Sequence, residues 1–89
     1  MKKSQTVELV EVPNEGLVCL IDQTVTLFCL NYIYTGILEG VNDTCVLLRE
    51  PKIVYETGSL SSKDWKIAEA LPNSLYVQIG AIESFGIVK

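Results

Sequence analysis

The 89-residue sequence contains no histidine. That excludes triads built on His, zinc sites that need imidazole and the usual proton shuttle near neutral pH. Lysine and arginine are missing from the whole stretch between Lys3 and Arg49, which carries Glu8, Glu11, Glu15, Asp22, Glu39 and Asp43. Such a stretch works against phosphate neutralisation, and DNA is not expected as a partner. No CxxC pair occurs. Cys19, Cys29 and Cys45 are an odd number of widely spaced thiols, and they fit a reducing compartment, the cytoplasm, better than a disulfide frame. Lys2 and Lys3 lead into an alternating, glutamate-containing segment rather than an apolar signal core. The longest apolar run, 16–38, is interrupted by Asp22, Gln23 and Asn31, so no membrane span is expected. No pair of ionisable residues has a recognisable catalytic spacing, and no enzyme, metal or cofactor is expected.

What is present is apolar. Residues of that class make up 48% of the chain, against 20% charged and a net charge of −4. One domain over 1–89 fits this length, with a thin core and apolar surface to spare for a subunit interface. Residues 7–12 alternate as a short strand. Pro13 to Gly16 marks a helix start, and Leu17, Leu20 and Ile21 recur at helical spacing to about Asp22. From Thr24 the period changes to two, with Val25, Leu27 and Cys29 on one side and Thr24, Thr26, Phe28 and Leu30 on the other. A second strand runs from Ile33 to Val41, where Gly36 and Gly40 permit bending or a bulge.

Asn42 to Thr44 supplies the next turn, and Cys45–Leu48 the next strand, which has an extension past Pro51 to Tyr55 open to it. The polar stretch after Glu56 has capping-box spacing from Ser61 to Asp64, consistent with a short helix over 64–70 or with an irregular excursion of a long hairpin. Strands at 75–79 and 82–88 close the reading. The expected fold is mainly β: a short N-terminal helix followed by a strongly bent five-stranded antiparallel small barrel.

Two segments carry a resemblance. Gly36-Ile-Leu-Glu-Gly-Val-Asn-Asp-Thr-Cys-Val-Leu-Leu-Arg49 resembles the first motif of the Sm/LSm proteins, with the Leu-Leu-basic ending of the bacterial Sm-like RNA chaperones. Val77-Gln-Ile-Gly-Ala-Ile-Glu-Ser-Phe85 is similar to the second motif, and Pro13, Leu17, Leu20 and Val25 fall at the offsets of the family's N-terminal helix and first strand. The likeness covers 13–55 and 75–88 and leaves 56–74 as a variable excursion. It implies a homo-oligomeric ring formed through the last two strands, with single-stranded RNA held at the pore loops.

The residues corresponding to the family's RNA contacts are Asn42, Asp43 and Thr44, with Gly80 across from them. The family's stacking ring and second-motif cation are both absent there: Ile79 and Gly80 stand where a basic residue is usual. Polar base-edge contact is what remains, and Asn42-Asp43-Thr44 is also simply a turn sequence. The alternative is a ring-forming structural or protein-interaction module without RNA. Its partner would be reached through Trp65 in the excursion and Tyr32 at a turn, aromatic anchors being enriched at interface hot spots.

Overall fold

The computed structural model describes residues 16–89. The expected strand at 7–12 and the helix start at Pro13 lie outside them. The described chain forms six antiparallel strands: β1 (Thr24–Cys29), β2 (Ile33–Val41), β3 (Cys45–Glu56), β4 (Ile67–Ala70), β5 (Leu75–Gln78) and β6 (Ile82–Gly86). The path runs β4-β3-β2-β1-β6, and β5 pairs separately with β3. This corrects the expected count of five.

The expected helix before β1 is not seen among the described residues. Leu17–Leu20 form a single 3-10 turn instead. Its start is Gly16 at φ 85°, a left-handed conformation that cannot sit inside a helix, and Asp22 is left-handed as well, at φ 73°. Between those two reversals there is room for one turn. Backbone bonds from Asp22 N to Leu38 O (2.7 Å) and Leu38 N to Gln23 O (2.9 Å) then fasten the segment to β2.

In β1 the side that alternation marks with Val25 and Leu27 enters the core. Val25 and Leu27 are fully buried and join Leu38, Val46, Leu48 and Val77 in one core cluster. Thr26 and Thr35 are also buried, and the Thr35 hydroxyl donates to Val25 O at 2.9 Å, so its burial carries no unpaired donor.

β3 does continue past Pro51, as one twelve-residue strand. Opposite Gly36 the register with β2 shifts, placing an extra residue on β3, where Glu50 takes φ 51°. A Cβ on Gly36 would lie 3.1 Å from Arg49 O and 3.2 Å from Pro51 Cα. Close backbone approach therefore favours glycine here. A second shift, between Leu38 and Gly40, places an extra residue on β2.

Residues 64–70 do not form the short helix that was one of two expectations. Ser61 N reaches Ser59 Oγ (3.3 Å) and Asp64 N reaches Ser62 Oγ (3.4 Å), so the serines make local turns in place of a helix cap. Ile67–Ala70 then pairs with the far half of β3. All four of its residues are exposed, so no apolar helical face exists to be buried.

The sheet must curl. Four strand spacings separate β5 from β6 along β3, β2 and β1, ~19 Å in a flat sheet. The connecting turn Ile79–Ala81 spans at most ~14 Å between its flanking residues. The curl brings β5 and β6 toward each other, yet no pairing joins them among the described residues. The barrel is open.

Candidate functional site

The seam left by that opening organises the surface. The turn at 42–44 folds as Asn42 dictates: its Oδ1 accepts from Thr44 N (2.8 Å), Cys45 N (2.9 Å) and Thr44 Oγ1 (3.0 Å). The carbonyl of Asn42 and the hydroxyl hydrogen of Thr44 are thus committed to the turn. What Asn42 retains for another molecule is its amide N–H side.

Ile79 N donates to Thr44 O at 2.9 Å, which ties the turn after β5 to the loop after β2. Asp43, Thr44 and Gly80 consequently line one open cavity of about 740 Å³, together with Tyr76, Gln78 and Ile79. Two distant sequence segments are brought together here. Asn42 is not among the lining residues; it holds the turn that carries Thr44 and Cys45. No atom lies within 4 Å of the position a Cβ would take on Gly80, so its backbone is open to close approach.

Tyr76 is the residue that the sequence reading missed. Its side chain is 70% exposed at the cavity wall. An aromatic ring is therefore available beside Asp43 and Thr44, although the motif position itself lacks one. The alternation of β5 was the available signal: Val77 is buried and its neighbours Tyr76 and Gln78 are exposed.

Tyr76 also borders a second cavity of about 310 Å³ at the seam, lined by Cys29, Leu30, Tyr32, Tyr34 and Val77 among others. Tyr32 is 51% exposed, with its ring centroid 6.2 Å from that of Tyr34 at a tilted angle. Burial raises the Cys29 thiol above its ordinary value, which disfavours the reactive thiolate. The Tyr34 hydroxyl is raised first by burial, then by proximity to Cys29 and Tyr32. All three cysteines are free and half-buried.

The remaining aromatic candidate stands apart from both cavities. Trp65, half-buried in the excursion, lies under the ammonium of Lys89, 4.5 Å from the ring centroid. It is engaged within the chain. Among the described residues no cluster of three His, Cys, Asp or Glu side chains is arranged to hold a metal, and no helix is long and apolar enough to cross a membrane. The sequence matches no protein-family model and no curated protein.

Proposed function

We propose that this protein is an Sm-like subunit that assembles head to tail into a homo-oligomeric ring. The observation that carries this reading is the pair of unpaired strand edges. Among the described residues β5 and β6 each pair on one side, with β3 and β1 respectively, and not with each other. Free edges of this kind demand a partner strand, and β5 of one copy offers β6 of the next a heterologous contact that closes by rotation. The surface there is apolar: Tyr76, Phe85 and Ile87 are exposed, and Glu83 is the sole charged residue from Leu75 to Val88.

Light scattering at micromolar concentration should return a multiple of the 9.9 kDa chain mass. Phe85→Glu should shift that mass downward while leaving the far-UV spectrum unchanged. A wild-type monomer under these conditions rejects the ring.

Within that assembly, the loop Asn42–Thr44 and Gly80 would meet single-stranded RNA by base-edge contact, with Tyr76 as the stacking surface. Stacking on an aromatic side chain contributes about 1–3 kcal/mol per base. Among the described residues no lysine or arginine lines the cavity, so binding there is weak and depends little on salt. A titration with short uridine- or adenosine-rich RNA at low salt tests this. Ile79→Arg should raise affinity and steepen the logarithmic salt dependence by about one. Absence of binding in both proteins leaves the second reading, a ring that serves as a structural or protein-interaction module. Asp43 on the cavity wall, repelling phosphate, is the observation that favours it.

A further inference from the structure

The side chain of Lys89 reaches across the molecule into the excursion. Its Nζ donates to three backbone carbonyls, Thr57 O, Ser59 O and Asp64 O, each at 2.8 Å. A primary ammonium has three N–H donors and no acceptor, so all three hydrogens are used. The Trp65 ring, 4.5 Å from Nζ, adds its negative face. Gly58, at φ 69°, reverses the chain between the first two carbonyls so that both converge on one point. A Cβ on Gly58 would fall 3.1 Å from Lys66 Cβ, so the reversal is tightly seated.

We propose that residues 57–65 form a recognition site for a primary ammonium group, filled in this chain by its own Lys89. The ligand class follows from the donor count. Three carbonyls match the three hydrogens of an unmodified lysine side chain. A quaternary ammonium satisfies none of them and keeps only the attraction of the ring. The site is therefore the opposite of an aromatic cage built for methylated lysine. Lys89 follows β6, and the excursion precedes β4. These strands stand at opposite ends of the pairing path, so the ammonium fastens together ends that no strand pairing joins. Acylation of Lys89 would remove the charge and two of the three hydrogens, and would empty the site for a lysine side chain from another molecule.

Trp65 is the chain's only tryptophan, so its fluorescence reports on this site alone. The full chain and a Lys89→Ala variant are titrated with n-butylammonium, a lysine side-chain analogue, and with tetramethylammonium at matched ionic strength. Lys89→Ala should give a saturable emission change with butylammonium. Tetramethylammonium should bind at least about tenfold more weakly, since each N–H to carbonyl bond is lost. Wild type should not respond, its site being occupied. A second variant, Lys89→Gln, should respond as Lys89→Ala does, with both variants keeping the wild-type far-UV spectrum. Three results overturn the proposal: no saturable change in either variant, an equal response in wild type, or equal binding of the two cations.

Discussion

The two halves of β3 belong to one strand and are held by different forces. At Cys45–Leu48, Val46 and Leu48 are fully buried, and the partner strand β5 contributes the buried Val77. At Lys52–Glu56 the partner is β4, with every residue exposed. That half buries Val54 from β3 itself, but its hold on β4 rests on backbone pairing, the hydrogen bond from Tyr55 Oη to Glu69 Oε1 at 2.9 Å, and the exposed Lys66–Glu56 ion pair at 3.4 Å. Fully burying an aliphatic side chain contributes about 1.5–3 kcal/mol, whereas an exposed ion pair contributes about 0–1. Strand pairing alone is therefore no measure of local stability. The β5 side carries more of the core, and β4 is expected to open ahead of it.

The largest contrast comes from truncating one side chain in each half. Leu48→Ala should destabilise the protein by about 2–5 kcal/mol in chemical denaturation, as expected for a fully buried leucine. Ile67→Ala, at a residue 47% exposed, should change it by under about 1 kcal/mol. Equal losses would erase the distinction. Next in size is Gly36→Val, at the junction of the halves. The added side chain meets Arg49 O and Pro51 Cα, and the cost should be about 1–3 kcal/mol. Gly40→Val, with no atom within 4 Å of a Cβ, should cost less by the same assay.

Amide exchange sharpens the comparison without mutation. Protection at Ile67–Ala70 should be lost well before protection at Val46 and Val77, and uniform protection would argue against a separable β4. The smallest effect is confined to Tyr55. The hydrogen bond to Glu69, reinforced by slight burial and by the nearby Glu69 and Tyr32, holds the Tyr55 hydroxyl above its ordinary pKa of 10.0. That contact stabilises the native state fully below pH 10 and is lost as pH rises through the raised value. Glu69→Ala should move the ultraviolet titration of Tyr55 down toward 10.0. An unmoved titration would mean that the bond does not form in solution.

The same division governs what the sequence discloses. Val25 and Leu27 were legible because alternation sets them on one side of β1 and that side enters the core; the burial of Thr26 on the other side was not. The run through Pro51 was legible as a strand on both sides of a proline. β4 was not, because Ile-Ala-Glu-Ala has no buried face, and the edge of β3 that recruits it lies at a distance in the chain. The 3-10 turn replaced the expected helix because Leu17 and Leu20 repeat at a spacing that one turn satisfies as well as two. At the candidate site, motif order brought Asp43, Thr44 and Gly80 together on paper, and one cavity joins them. Tyr76 was read as strand and not as surface. The three carbonyls around Lys89 are backbone groups, which side-chain patterns do not reveal.

The two register shifts between β2 and β3 are opposite in sense: one extra residue sits on β3 opposite Gly36, the other on β2 between Leu38 and Gly40. The pairing of Ile33 with Val54 and that of Val41 with Val46 therefore follow the same register, as if neither bulge existed. The hairpin keeps parity. Loss of the extra residue from either bulge would remove that bulge and leave the pairs on both sides with the same partners. Loss of one from each would leave the far pairs where they are. A deletion at any of the seven paired positions, where no extra residue stands by, would instead displace every pair beyond it and turn buried positions outward, so changes of length in this hairpin should be tolerated at its two bulges and rejected elsewhere.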